Sequence, residues 1–106
     1  IIDFRHESNA AFAADAFARL EGVGVAAVTA GPGVTNTVTA VQNAMMAESP
    51  LIILGGATST LLKGRGSLQD IDHIAIMKPI TKASLTCSRV CDLSTTLEKA
   101  INIALS

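Results

Sequence analysis

The stretch from Val25 to Asn36, Val-Ala-Ala-Val-Thr-Ala-Gly-Pro-Gly-Val-Thr-Asn, restricts the fold of this chain more than any other. Val25 to Thr29 is a short apolar run with β-branched residues, and it stops at a Gly-Pro-Gly turn that opens a second patterned segment. That is a buried strand feeding a helix, one step of a βαβ unit. In open parallel sheets, ligands collect at the carboxyl ends of the strands. The Gly-Pro-Gly corner therefore belongs on the functional edge, where glycines allow a sharp turn and keep side chains away from a bound molecule. Ile1-Ile2-Asp3-Phe4 reads as the tail of another strand, followed at once by Arg5-His6-Glu7. If the two strands are parallel neighbours, Glu7 shares the crevice with the corner.

The remaining segments fit that scheme. Ser8 to Glu21 is expected to be a helix, with six alanines, Ser8 as cap and Gly22 at its end. Phe12, Ala13, Ala16, Phe17 and Leu20 form its apolar stripe. Val34 to Ala47 combines helical spacing at Val34, Val38, Val41 and Met45 with β-branched residues; its length and the glycine corner favour helix. Leu51-Ile52-Ile53-Leu54, after Pro50, reads as a fully buried strand ending at Gly55-Gly56. Ala57 to Gly66 is a loop, Ser67 to Met77 a short helix beside the site or a lid, Ile80 to Cys87 a strand containing Lys82, and Asp92 to Ser106 a last helix with Leu93, Leu97, Ala100, Ile101 and Ala104 on its apolar face.

A 49% hydrophobic composition in 106 residues suits strands covered on both faces. A net charge of -1 offers no electrostatic attraction to nucleic acid or an anionic membrane. No window approaches roughly 20 uninterrupted apolar residues, so no membrane segment is expected. The start carries neither an initiating Met nor a signal-peptide pattern, and residues 1–106 read as one partial domain of a longer chain. Cys87 and Cys91 cannot alone supply a structural zinc site; they are expected to be buried or half-buried thiols in a reducing compartment, a disulfide being the less supported alternative, and no metal ligands are assigned.

A carboxylate at the end of a buried strand needs a hydrogen bond or a proton, which makes Glu7 the candidate for acid/base work. The competing reading is a helix N-terminal glutamate or an ion pair with Arg5. Free amides at Gly31-Pro32-Gly33 would attract phosphate, yet the Walker lysine and the dinucleotide spacing are both missing, and a plain tight turn is the simpler reading. Gln69 is either a donor to a substrate carbonyl or a surface amide. His6 and His73 read as structural, and Lys63, Arg65 and Lys78 as solvated charges.

Arg5-His6-Glu7, Ala13-Ala14-Asp15-Ala16-Phe17-Ala18-Arg19, Thr29-Ala30-Gly31-Pro32-Gly33-Val34-Thr35-Asn36, Ser49-Pro50-Leu51 and Pro79-Ile80-Thr81-Lys82 together resemble the pyrimidine-binding domain of thiamine-diphosphate enzymes, within the acetolactate synthase-like group that includes 2-hydroxyacyl-CoA lyases. The resemblance covers almost the whole chain. It implies a flavodoxin-like α/β fold, a parallel sheet with helices on both faces, here incomplete at both ends. It implies that Glu7 hydrogen-bonds N1′ of the aminopyrimidine, favouring the imino tautomer that removes the thiazolium C2 proton, and that its carboxyl is shielded and its pKa raised. It places Gly31, Pro32 and Gly33 against the pyrimidine, with Asn36 close by, and so argues against diphosphate at the corner.

Gln69 aligns with the glutamine of a Phe-Gln-Glu element near the substrate, here Leu68-Gln69-Asp70. Gly55-Gly56-Ala57-Thr58-Ser59 is more similar to the Gly-Gly-Ser turn of the CoA lyases than to the Gly-Gln turn of true acetolactate synthases. The resemblance thus implies cleavage of a 2-hydroxyacyl-CoA by a full-length homodimer, with the active site between subunits and thiamine diphosphate held through Mg²⁺ on a separate domain; the fragment alone would be inactive. It also implies association with the endoplasmic reticulum membrane through a segment outside these residues, or otherwise a cytoplasmic location. The alternatives are an acetolactate synthase condensing 2-oxoacids, with a structural FAD, and a non-catalytic binding or dimerisation domain of the same fold.

Overall fold

The computed structural model describes residues 1–106. Helix α1 (Glu7–Glu21) leads into strand β1 (Gly24–Val28), helices α2 (Pro32–Thr35) and α3 (Val38–Met46), strand β2 (Leu51–Gly55), helix α4 (His73–Met77) and helix α5 (Leu93–Leu105). Single 3-10 turns lie at Lys78–Ile80 and Val90–Asp92. β1 and β2 pair in parallel, with Gly24 opposite Leu51 and Val28 opposite Gly55. The α2–α3 segment is the helical crossover that parallel neighbours require. The outcome is the expected α/β architecture, an open parallel sheet flanked by helices. No helix is long and apolar enough to cross a membrane.

Two segments expected to be strands are not. Ile1–Phe4 and Ile80–Cys87 carry strand-like residues but lack strand structure, because the sheet has only two members and neither segment has a neighbour to take its backbone hydrogen bonds. Thr81 instead donates its hydroxyl to the Met77 carbonyl at 2.9 Å and lies 2.9 Å from the Ser84 hydroxyl, so the chain turns where a strand would run on. β2 is less covered than its unbroken apolar run suggests: only Ile52 is buried, and Leu54 is 43% exposed. Cys87 and Cys91 are both free thiols, as expected, but exposed rather than buried or half-buried.

The helix ends also differ in detail. His6, not Ser8, caps α1: it is extended, and its Nδ1 accepts the Ser8 amide at 3.2 Å. At the other end Gly22, at φ 110, returns its N–H to the Ala18 carbonyl, as expected of a C-terminal glycine. The expected single helix from Val34 to Ala47 is broken between α2 and α3. Thr37 is fully buried, and its hydroxyl donates to the Val34 carbonyl at 2.7 Å, competing for the acceptor that a continuous helix would give to the Val38 amide. Ordered helix in the 67–77 segment begins only at His73, capped by the Asp72 carboxylate on the Ala75 amide at 3.0 Å.

α1 turns a different face to the sheet from the one its large residues mark. Its buried residues are Ala11, Ala14, Asp15 and Ala18, whereas Phe12, Phe17 and Leu20 are 40%, 56% and 82% exposed. The reason is distance. A Cβ added at Gly24 would lie 1.8 Å from the Ala14 carbonyl oxygen, so helix and strand meet backbone to backbone and only alanine fits between them. Elsewhere on the sheet, Val34, Val41 and Met77 form a small core with Val28, Val38, Leu51, Ile53 and Ile80 packed against it. α5 contributes half-buried Leu97, Ala100, Ile101 and Ala104 and packs on β2; Leu93, expected on that face, is exposed.

Asp15 is the one buried carboxylate, and it joins three elements. Its oxygens accept from Arg19 Nε at 3.1 Å and Nη2 at 2.8 Å, and from Asn43 Nδ2 on α3 at 3.0 Å. Its carbonyl accepts the Ser49 hydroxyl ahead of β2 at 3.3 Å. The Arg19 guanidinium, and after it the neutral donors, hold the Asp15 carboxyl below its ordinary 3.8 despite burial.

Because that pKa is depressed in the folded protein, the stabilisation is complete above the unfolded value and is lost as pH falls through 3.8 towards the folded value. Asp15→Asn is therefore expected to flatten the acid limb of stability against pH, and Asp15→Ala to lower unfolding free energy by about 2 kcal/mol, both read from denaturant unfolding curves. Gly24→Ala should cost about 3 kcal/mol by the same measurement, since the atom opposing the new methyl belongs to the α1 backbone and has no rotamer to escape into.

Candidate functional site

The packing of α1 on β1 brings the start of α1 to the turn that follows β1, at the carboxyl edge of the sheet. Glu7 is the first residue of α1, half-buried, and its Oε2 accepts the Asn36 side-chain amide at 3.1 Å. Asn36 sits at the break between α2 and α3, and its carbonyl in turn accepts the Ser8 hydroxyl. Glu7 Oε1 faces Gly33: a Cβ there would lie 3.6 Å from that oxygen and 2.6 Å from Thr29 Cγ2. A side chain at position 33 has no room, so one carboxylate oxygen stays beside bare backbone while the other is held by an amide.

The hydrogen bonds that Glu7 accepts, first at the backbone of the helix start and then from Asn36, outweigh a small effect of burial and hold its carboxyl below the ordinary 4.5, with His6 adding slightly. This corrects the expectation of a raised pKa: within these residues the carboxyl is open to solvent and well supplied with donors. Nor does Glu7 pair with Arg5; the ion pairs are Asp15–Arg19 and Arg89–Asp92.

Gly31 opens the corner at φ 67, a left-handed conformation that favours glycine, and it is buried. A Cβ at Gly31 would come 3.0 Å from the Gln69 Cα and 3.1 Å from its Cβ, so the Gln69 backbone lies directly on the turn. The Gly31 amide donates to His73 Nε2 at 2.8 Å. That bond takes one of the amides on which the phosphate reading of the corner relied, and Pro32 has none to offer. Pro32 begins α2, exposed, at a position where its missing N–H costs nothing.

Glu7, Gly31, Pro32, Gly33, Asn36 and Gln69, scattered over the sequence, therefore stand along one edge. His73, read as structural in a segment beside the site, does hold the backbone of that edge, and its partner Gly31 is what the sequence did not name; Ser8 and Thr29 also border the edge without having been singled out for it. The i to i+4 spacing of Gln69 and His73 was the available hint, but residues 67–72 are not helical, so spacing alone could not have carried it. Lys63, Arg65 and Lys78 are exposed, as expected of solvated charges. No group of three or more His, Cys, Asp or Glu side chains converges as a metal site.

Residues 1–76 match the family described as thiamine pyrophosphate enzyme, N-terminal TPP binding domain. The chain is 61% identical to 2-hydroxyacyl-CoA lyase 2 of Danio rerio and 57% identical to that of Homo sapiens; in both the match takes in 100% of this chain and 17% of the relative. It is 41% identical to the acetolactate synthase large subunit IlvG of Mycobacterium tuberculosis, over 100% of this chain and 20% of that protein. The chain thus spans about a sixth of the length of the first of these curated relatives. The family match runs from Ile1 through Glu7, the Gly-Pro-Gly corner, Gln69 and His73, and so contains every residue of this edge: the chain belongs to the N-terminal, thiamine-pyrophosphate-binding domain family of the thiamine pyrophosphate enzymes.

Proposed function

We propose that the full-length protein is a thiamine-diphosphate-dependent lyase that breaks the carbon–carbon bond beside the carbonyl of a 2-hydroxyacyl-CoA, and that residues 1–106 supply the half-site for the aminopyrimidine. The observation that carries this reading is the Glu7 carboxylate, with one oxygen on the Asn36 amide and the other beside side-chain-free Gly33. A flat ring edge can approach an oxygen so placed. The bare corner meets the steric need of such a ring, and the remaining Glu7 oxygen meets its need for a carboxyl that can share a proton with a ring nitrogen, so the residues fit the group.

In this reading Glu7 Oε1 would hydrogen-bond the pyrimidine N1′, donating as the protonated carboxyl and accepting as the carboxylate once that proton had passed to the ring nitrogen, while Asn36 would keep the carboxyl group from rotating away. Gly31, Pro32 and Gly33 would lie against the ring, and Gln69 would offer its amide to the substrate carbonyl. Bound thiamine diphosphate supplies the electron sink that makes the carbon–carbon cleavage feasible. Closing the edge with a second domain would also remove water from Glu7 and lift its carboxyl from the depressed value found in these residues alone. The Mg²⁺ and diphosphate would belong to that second domain, and a homodimer would bring the two halves together.

The lyase reading draws on the 61% and 57% identity to 2-hydroxyacyl-CoA lyases and on the Gly55-Gly56-Ala57-Thr58-Ser59 turn. The second reading, an acetolactate synthase acting on 2-oxoacids and carrying FAD, draws on the 41% identity to the mycobacterial synthase.

The deciding experiment uses the full-length protein with Mg²⁺ and thiamine diphosphate, offering 2-hydroxyacyl-CoA and pyruvate in turn. Turnover of the CoA thioester, with kcat at least about 100-fold lower in Glu7→Gln and the fold retained, is the expected result. A preference for pyruvate selects the synthase, and unchanged turnover in Glu7→Gln removes Glu7 from the chemistry. Asn36→Ala, which frees the carboxylate without deleting it, should reduce kcat by about tenfold.

A further inference from the structure

We propose that His73 is a positioning residue: by accepting the Gly31 amide on Nε2 it fastens the segment that carries Gln69 onto the Gly-Pro-Gly corner and sets how closely Gln69 approaches the bound substrate. The inference rests on the reading of that corner as the pyrimidine's and of Gln69 as the substrate-facing amide.

The geometry isolates this one bond. Between β2 and α4 the chain makes a long excursion, from Gly56 to Asp72, held by turns within itself such as Lys63 to Ser59 and Asp70 to Ser67, and by the Asp70 carboxylate on the Gly64 amide. The Gly31–His73 bond, at 2.8 Å, is the only hydrogen bond between residues 57–76 and residues 1–56. It reaches across 42 positions of sequence and is partly buried. Gln69 has no such tie of its own; its backbone lies on Gly31 because His73, four residues later, holds that glycine.

The chemistry at both ends is specific. Gly31 is buried and its amide donates to a half-buried His73, so removing the imidazole takes away the one protein acceptor that amide has. To accept, Nε2 must be the unprotonated nitrogen of the imidazole, with the hydrogen on Nδ1. A residue that fills the same space without an acceptor therefore breaks the tie, whereas glutamine, whose carbonyl oxygen can reach a similar point, restores it. α4 itself does not depend on the bond: Met77 is 7% exposed in the core, and Asp72 caps the helix. Losing His73 should thus loosen the Gln69 segment and leave the domain folded.

The test compares the wild type with His73→Leu and His73→Gln in the full-length protein. Amide hydrogen exchange followed by mass spectrometry, without cofactor, is expected to show exchange in peptides covering 29–36 and 67–73 faster by about tenfold in His73→Leu, unchanged elsewhere, and restored in His73→Gln. With Mg²⁺, thiamine diphosphate and 2-hydroxyacyl-CoA, kcat/KM should fall about tenfold in His73→Leu and recover in His73→Gln. If His73→Leu does not fold, His73→Ala, which removes the same acceptor without filling the space, takes its place. Unchanged exchange at 29–36, acceleration spread evenly over the domain, or failure of glutamine to restore either readout overturns the proposal. The local exchange change together with a wild type that turns over neither 2-hydroxyacyl-CoA nor pyruvate supports the tie and overturns the reading of the site instead.

Discussion

The backbone contact between α1 and β1 sets the position of nearly everything at the functional edge. Gly24 has no space for a Cβ because the Ala14 carbonyl occupies it, and Ala11, Ala14 and Ala18 line the rest of the seam. Close approach of this kind leaves a helix almost no freedom to slide or roll, since any displacement opens voids that no larger side chain is there to fill. Asp15, on the same seam, adds direction to closeness by binding Arg19 along α1 and Asn43 on α3. With α1 fixed in this way, its first residue is carried to the end of β1, and that residue is Glu7.

The corner after β1 completes the edge by economy of side chains. Left-handed Gly31 lets the Gln69 backbone settle on the turn, and Gly33 leaves one Glu7 oxygen uncovered. The interruption between α2 and α3 belongs to the same device. In an unbroken helix Asn36 would be one more interior residue; the buried Thr37 hydroxyl occupies the Val34 carbonyl and interrupts that helix, and Asn36 is left at the junction with its amide on Glu7. A local weakness in helix propensity, the β-branched run from Val34 to Thr39, is thereby put to use in placing a donor.

Much of the site could be read from the residues, though for different reasons at each position. Gly31-Pro32-Gly33 stood out because glycine and proline restrict backbone geometry whatever surrounds them. Glu7 stood out as a carboxylate between a candidate strand and a helix, although the strand is absent and the residue owes its place to α1 alone. Gln69 came to notice through resemblance rather than physics. His73 reads as structural with no partner to name: its bond to Gly31 joins residues 42 apart through a segment without periodicity, and neither composition nor spacing encodes such a contact. The fold shows the same division. The α1 and α5 helices and the β1 and β2 strands follow from local pattern, whereas Ile1–Phe4 and Ile80–Cys87 look like strands and are not, because a strand exists only if something pairs with it.

By itself the sequence determined the βαβ step, the turn at Gly31-Pro32-Gly33, the two long helices with Gly22 ending the first, and the membership of one family, because propensity, turn chemistry and motif order are local properties. Tertiary structure alone decided which face of α1 is buried, the depressed pKa of Glu7, the meeting of Gly31 with Gln69 and His73, and the role of Asp15. Hydrophobic pattern marks Phe12, Phe17 and Leu20 as inward, but an inward face also needs room. Between two backbones in contact there is room only for alanine, and that is a property of the assembled pair and not of either element.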